Sequence, residues 1–341
     1  MPDAVECGLC RTTGEFIALR SEWGALWRDD PHATPFQSPE WLLPWWHQFG
    51  QPQLRLVTIR RSGDLIGLLP FYLYQEPRTQ ERQLLPIGVG TSDYLDGIFR
   101  PDCMIEHIQQ ALDLICDDDQ SWDALYISQL RPQSKLMQAM QLDSRNYAPT
   151  TGESCSQMPA VGMSDLPQKI RRNAMYYRNR AMRLGKLELT LADDSSVPAT
   201  FDALRGLHRA RWEICKQPGV LADKRVLAWH RESLQLLQKS GMLRLYRLTL
   251  SNEIIGVLYA LVDPPSRPHR TQYFYLPAYS TAHAELRPGT LLTAFAIDSA
   301  AAEGVQTIDM LRGDEPYKRI WHLQPVATYG FAARNEAQRA A

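Results

Sequence analysis

The sequence predicts an α/β (α+β) protein built from two tandem units of the same fold. Three observations carry this. A length of 341 residues exceeds one ordinary domain. A long hairpin occurs twice: residues 54–72 read LRLVTIRRSGDLIGLLPFY and residues 243–261 read LRLYRLTLSNEIIGVLYAL, identical without a gap at seven of 19 positions. Chance would give roughly one or two identities, which marks a duplication. The same order of helices, hairpin, strand, helix and strand then runs on both sides of a Ser-, Thr-, Gly- and Pro-rich stretch near 144–165, placing the domains at 1–150 and 151–341.

Each element has its own reason. Phe16, Leu19, Trp23 and Leu26 have helical spacing within 15–29. Ser38 as N-cap and Pro39 at the first helical position open a second helix bearing Trp41, Leu42, Trp45 and Trp46. The hairpin 54–73 turns at Ser62-Gly63-Asp64. Strands are expected at 84–87 and 94–99, a helix at 104–118, and a strand at 124–128 leading into Leu130-Arg131. The second half repeats this with helices at 198–216 and 225–239, the hairpin 243–262, a strand at 273–276, a helix at 289–303 and a strand at 307–311. That strand leads into Leu311-Arg312, in the place of Leu130-Arg131.

Composition excludes several classes. The apolar fraction is 44%, the charged fraction 22% and the net charge −1, so no bulk field draws the chain to nucleic acid or an anionic surface. No apolar run reaches the roughly 18 residues of a membrane span. The acidic N-terminus lacks a signal-peptide core, and a cytoplasmic location is expected. Cys7 and Cys10 form a lone CxxC. A zinc site needs two more ligands, so two incidental thiols in or near a first strand are expected, and no metal.

One segment has no counterpart in the first half. Residues 169–186 carry seven basic residues and no acid. Ile170, Ala174, Tyr177, Ala181 and Leu184 share one helical face, leaving the basic side chains as either a solvated face or a surface for the phosphates of a cofactor, a tRNA or an anionic glycan.

Five stretches carry a family resemblance: Thr34 to Trp41 (TPFQSPEW), Ser92 to Asp96 (SDYLD), Leu207 to Trp212 (LHRARW), Arg287 to Leu292 (RPGTLL) and Asp309 to Trp321 (DMLRGDEPYKRIW). With the duplicated hairpin they resemble tandem GNAT-like acetyltransferases of cellulose and exopolysaccharide biosynthesis, which are similar to Fem-type aminoacyl transferases of peptidoglycan synthesis. The resemblance spans roughly residues 15–333. It implies two GNAT-like acyl-CoA N-acyltransferase domains with mixed central sheets flanked by helices. The implied activity is acyl transfer from acetyl-CoA or another acyl-CoA to a small-molecule or glycan-precursor acceptor of the cell envelope.

Within that frame the block 309–321 has the clearest chemistry. Gly313 permits a sharp turn after a strand, Asp314 or Glu315 caps a short helix, and Tyr317 and Trp321 share a face. Acyl transfer needs an oxyanion stabiliser and a proton acceptor. Lys318 or Arg312 would supply positive charge, Glu315 or Asp314 the base, and Tyr317 an acid for the leaving thiolate. A lysine near this place in Fem-type enzymes contacts substrate, which the resemblance extends to Lys318; Lys318→Ala is then expected to cut turnover with little change in melting temperature. The plain alternative is an Arg312–Glu315 pair with Tyr317 and Trp321 in the core.

Further candidates are His208 as a base and Arg211 as a carboxylate or phosphate clamp, with Trp212 on the same helix face; the plain alternative is a hydrogen-bonded core histidine with a snorkelling arginine. Alternation along a strand would put Tyr94 and Asp96 on one side and Asp93 with Leu95 on the other, where the acids would either hydrogen-bond an acceptor hydroxyl or amine or, for Ser92 and Asp93, cap a turn. Arg287, Gly289 and Thr290 precede a helix where GNAT proteins offer N–H groups to the coenzyme A pyrophosphate; Pro288 supplies no N–H here. The helix at 104 is surrounded instead by acids, Asp102, Glu106, Asp113, Asp117, Asp118, Asp119 and Asp123, so a phosphate-bearing donor is expected in the second domain. Two other readings stay open: transfer from a charged tRNA, favoured by the basic helix, and a catalytically silent assembly subunit.

Overall fold

The structure is a computed structural model and describes residues 4–50, 53–117, 122–143, 145 and 147–335; Asp118 and Asp119 lie outside them. The chain divides into two compact units, Met1–Ser154 with Val326–Ala341, and Cys155–Pro325. The division expected at residue 150 therefore moves to 154, and the chain from Val326 returns to the first unit.

In chain order the first unit runs β1 (Val5–Cys10), α1 (Thr13–Ala18), α2 (Arg20–Asp29), α3 (Pro39–Phe49), β2 (Leu54–Arg61), β3 (Asp64–Gln75), β4 (Arg82–Pro86), β5 (Ile98–Phe99), α4 (Ile105–Asp117), β6 (Ala124–Leu130), α5 (Lys135–Gln141) and β7 (Pro149–Thr151). The second runs β8 (Cys155–Pro159), α6 (Gln168–Met182), β9 (Leu187–Leu191), α7 (Val197–Ile214), α8 (Lys224–Lys239), β10 (Leu243–Leu250), β11 (Glu253–Val262), β12 (Thr271–Tyr279), α9 (Pro288–Ala302), β13 (Thr307–Arg312) and β14 (Gln324–Val326). A last strand, β15 (Tyr329–Arg334), follows.

The two sheets have one topology. The first has the order β1-β2-β3-β4-β6-β15-β7, with β5 beside β3, and the second β9-β10-β11-β12-β13-β8-β14. One parallel pair occurs at the same place in each, β4 with β6 and β12 with β13. Parallel neighbours need a crossover, supplied by α4 and α9. The strand beside β13, β8, follows β7 of the first unit, and the strand beside β6, β15, follows β14 of the second. The duplication thus includes a reciprocal exchange of one strand, which sequence periodicity could not reveal because β15 and β8 are short.

The repeated hairpin is explained residue by residue. Ser62 (φ 51°) and Gly63 (φ 88°) in one copy, and Ser251 (φ 48°) and Asn252 (φ 72°) in the other, form two-residue turns with both φ positive. Such turns match the right-handed twist of the strands. In both copies the register slips by one on the returning strand: Ile59 faces Gly67 while Arg60 faces Leu65, and Leu248 faces Gly256 while Thr249 faces Ile254. The extra residues are Ile66 and Ile255, buried bulge positions identical in the two copies.

Helices cover both faces of each sheet. Phe71 and Leu73 of β3 pack with Ile108 and Leu112 of α4, while Tyr72 between them meets Trp45 and Trp46 of α3. In the second unit Leu258 and Ala260 pack with α6 and α9, and Tyr259 meets Phe201 of α7 and His230 of α8. Strand alternation makes this a three-layer arrangement.

Several expectations change here. Ser38 precedes α3 as N-cap but its hydroxyl donates to Pro35 O at 2.8 Å rather than capping. Only Ile98 and Phe99 of 94–99 are strand, and Tyr94 has φ 56°, so alternation does not apply to Asp93–Asp96. Matching bulges make Gln129 (φ 62°) and Leu311 (φ 57°) equivalent, which puts Leu130 in register with Arg312, one residue off the Leu-Arg match. Cys7 and Cys10 both lie on β1 as free thiols, and burial raises both pKa values, the reverse of an activated thiolate. Among the described residues, no helix is long and apolar enough to cross a membrane.

Candidate active site

The second sheet opens where its parallel pair ends. β12 and β13 pair only through Thr271–Tyr273 and Thr307–Asp309, and β12 then runs on to Tyr279 along β11. Tyr275 is an extra residue on β12 at the point of divergence. Strands that splay at their carboxyl ends leave a crevice, where open α/β sheets place ligands.

A cavity of about 340 Å³ lies there, entirely within the second unit. Its walls come from Tyr279–Thr281 at the end of β12, Ala284, Arg287–Thr290 with Thr293 at the start of α9, Tyr317 and Ile320–Trp321 after β13, and Arg211 of α7. Five residues singled out in the sequence therefore meet: Arg211, Arg287, Gly289, Thr290 and Tyr317. Tyr279 was missed; its signal was its place at the end of a strand just upstream of the Arg287 turn.

The start of α9 is built for an anion in a limited way. Arg287 is its N-cap, held at φ 49°, ψ 53°, a left-handed conformation that costs a non-glycine residue energy. The Thr290 and Leu291 N–H groups both donate to Arg287 O, at 3.0 and 3.3 Å. Pro288 has no N–H. The Gly289 N–H alone is left to point out of the helix end, with the Arg287 and Arg211 side chains beside the same cavity. A Cβ on Gly289 would come within 2.9 Å of the Tyr279 ring, so glycine is what lets that ring lie over the turn.

The tyrosines are held protonated. Burial, reinforced by the neighbouring Tyr279 and Glu315, pushes the Tyr317 phenol well up, and Arg211 offsets this in part. Burial likewise raises Tyr279, with Glu315 adding to it. Two neutral hydroxyls thus adjoin a guanidinium in one cavity.

Lys318 is tied into the backbone of its own loop. Its Nζ is buried and donates to Arg312 O (2.6 Å), Gly313 O (3.1 Å) and Leu311 O (3.3 Å), and pairs with Glu315 Oε2 at 2.9 Å. An ammonium has three donors, and the loop's own oxygens account for them. Lys318 therefore fixes the turn that presents Tyr317. Glu315 pairs with Lys318, while Asp314 pairs with Arg319 at 2.6 Å on the surface. In the first unit Lys135 Nζ also donates to three carbonyls, but of a distant loop, Arg100 O, Pro101 O and Cys103 O at 2.9, 2.9 and 2.7 Å.

His208, Trp212 and Arg211 separate. His208 and Trp212, with ring centroids 5.9 Å apart, pack on Gly219, whose left-handed backbone leaves room for no side chain between them. His208 is buried and its pKa lowered, first by burial and then by Arg211, so it stays neutral. Neither ring lines the cavity; Arg211 does. Arg312, at the end of β13, is half-buried and also off the cavity wall.

The Ser92–Asp96 stretch belongs to the first unit alone. The Tyr94 ring lies under the Arg131 guanidinium at 5.0 Å, and Asp93 is buried. Asp96 lines a smaller cavity of about 220 Å³ with Asp30, His32, Phe99, Ser134 and Lys135. Burial pushes Asp96 up to about 7, against the lowering effect of a Ser134 hydrogen bond. Among the described residues, no group of three or more His, Cys, Asp or Glu is arranged to hold a metal ion.

Residues 168–319, all within the second unit, match the family described as acetyltransferase (GNAT) domain. Over those residues the second unit is similar to a GNAT acetyltransferase domain. A comparison with curated proteins found no match. Among solved structures, FemX superposes with a TM-score of 0.65 at 11% identity, covering 94% of this chain and 98% of that one. L-PGS from Bacillus licheniformis gives 0.55 at 15% identity, covering 90% and 93%. A tandem GNAT protein from the clavulanic acid biosynthesis pathway gives 0.51 at 12% identity, covering 97% and 99%. At these identities the likeness is one of fold, and it extends over both units. The parallel pair β12–β13 and the helix α9 that follows β12 lie within the matched residues and frame the cavity.

Proposed function

We propose that the chain transfers an acyl group from an acyl-CoA, such as acetyl-CoA, to an amine or hydroxyl of a cell-envelope or exopolysaccharide precursor. The observation that carries this is the cavity at the start of α9, where Arg211, Arg287 and the Gly289 N–H converge beside two protonated tyrosines. Guanidinium groups and a free N–H suit the phosphates of the donor. The cavity suits its narrow arm rather than the whole molecule.

The residues then divide the work. The acceptor nitrogen or oxygen forms its bond to the thioester carbonyl carbon and the carbon–sulfur bond breaks. Glu315, held by Lys318, takes the proton the acceptor loses, and Tyr317 gives its proton to the departing thiolate. Tyr279 and Arg211 shape the wall and hold Tyr317 in place.

A second reading is aminoacyl transfer from a charged tRNA. The FemX-like fold over both units favours it, and the basic α6 would meet the RNA. One assay separates the two. Thiol release from acetyl-CoA is followed with a panel of amino sugars and sugar nucleotides, against transfer of label from charged tRNA. Acceptor-dependent thiol release supports the acyl-CoA reading; label transfer without it supports the tRNA reading and overturns the first.

A further inference from the structure

Helix α6 presents a surface that the proposed transfer does not use. Ile170, Ala174 and Ala181 are its inner face, packed in the second unit's core. Lys169, Arg171, Arg172, Arg178, Arg180 and Arg183 occupy the rest. Arg171 is tied to Ser164 O at 2.6 Å. Among the described residues, no carboxylate pairs with Arg172, Arg178, Arg180 or Arg183.

Large apolar side chains are exposed among these cations. Met175 is 56% exposed, Tyr176 60%, Met182 54%, and Leu184 just beyond the helix 61%. At 3.6 residues per turn Met175 and Met182, seven apart, fall on one line. Arg171 and Arg178 flank that line on one side, and Arg172 and Arg183 on the other. Cations alone would suit any phosphate surface. Methionines set between arginines suit a boundary where phosphates border an apolar phase, as at the surface of a lipid bilayer. An RNA backbone offers no such phase.

We infer that α6 docks the chain on a membrane surface rich in anionic phospholipid, with Met175, Met182 and Tyr176 entering the headgroup boundary and the arginines meeting lipid phosphates. The chain's net charge is −1, so attraction is local to this helix and screened by salt. The docking does not depend on which donor the cavity takes.

The test is co-sedimentation of the full chain with vesicles of phosphatidylcholine alone and of phosphatidylcholine with one-third phosphatidylglycerol, with uncharged tRNA as a competing arm. Binding should require phosphatidylglycerol. It should weaken by at least about 100-fold in Arg172→Glu/Arg178→Glu/Arg183→Glu and about tenfold in Met175→Ser/Met182→Ser. If the charge variant fails to fold, as its circular dichroism would show, the methionine variant decides alone. No binding to the anionic vesicles overturns the inference. So does binding that the methionine change leaves untouched, and so does tRNA binding tighter than vesicle binding.

Discussion

The Nζ of Lys318 lies 2.6 Å from the carbonyl oxygen of Arg312. That bond, with those to Leu311 O and Gly313 O, closes the loop between β13 and Tyr317 over a backbone that includes two positive-φ residues, Leu311 and Gly313. Lys318→Met should therefore leave buried carbonyls unmet and destabilise the fold by about 2–4 kcal/mol. Thermal denaturation should show the melting temperature falling by about 5–10 °C. This reverses the expectation from sequence alone. An unchanged melting temperature with turnover lost would return Lys318 to the reacting groups.

Arg287 caps α9 at a left-handed φ of 49°. Arg287→Gly should relieve that strain and stabilise by about 1 kcal/mol. The same change removes a cation from the cavity wall, so affinity for acetyl-CoA should fall about tenfold. Denaturant titration and calorimetry read the two effects separately. Stability and affinity moving in the same direction would contradict this division.

Tyr317 is 38% exposed as a residue, yet the buried surroundings of its hydroxyl, with Tyr279 and Glu315 beside it, raise its pKa and keep the phenol neutral. As the acid for the leaving thiolate, Tyr317→Phe should lower kcat by about 10²–10³-fold with a coenzyme A thioester. A thioester whose thiol is much more acidic needs no protonation, and the loss should shrink with it. Donor affinity should hardly change. An equal loss with both thioesters would assign Tyr317 to positioning.

Asp96 titrates near 7 in the fold because burial disfavours its charge. Its folded pKa is raised above the unfolded 3.8, so between those values the folded state binds more protons than the unfolded one. Stability should then fall as pH rises from about 4 through 7, by at most about 4 kcal/mol. Asp96→Asn should remove this slope and be the more stable protein at pH 8. Parallel stability–pH curves for the two proteins would show that Asp96 is not buried as described.

Much of this was legible because it rests on local rules. The hairpins announce themselves through Ser62-Gly63 and Ser251-Asn252, and the identical Ile-Gly pairs mark a bulge that needs one extra buried residue. The cavity's turn was visible in Arg287-Pro288-Gly289-Thr290 for the same reason. What stayed hidden depends on distant partners. The exchange of β8 and β15 between units is set by pairing, and short strands carry little period-2 signal. Lys318 read as a catalytic cation because nothing in its neighbours' identity reveals three converging backbone carbonyls. Tyr94 read as a strand residue because a left-handed φ outside glycine is fixed by tertiary contacts, here Gln37 reaching its carbonyl and Arg131 over its ring.

The central claim is that the cavity at the start of α9 takes the acyl donor. Calorimetric titration of acetyl-CoA into the wild-type chain and into Gly289→Trp tests it most directly, since a side chain there meets Tyr279 within 3.1 Å and fills the space beside Arg287. The account predicts saturable one-site binding to the wild type, abolished in a variant that circular dichroism shows to be folded, although the indole must displace the Tyr279 ring. Wild-type protein that takes up no acetyl-CoA, or a variant that binds it equally well, would contradict it.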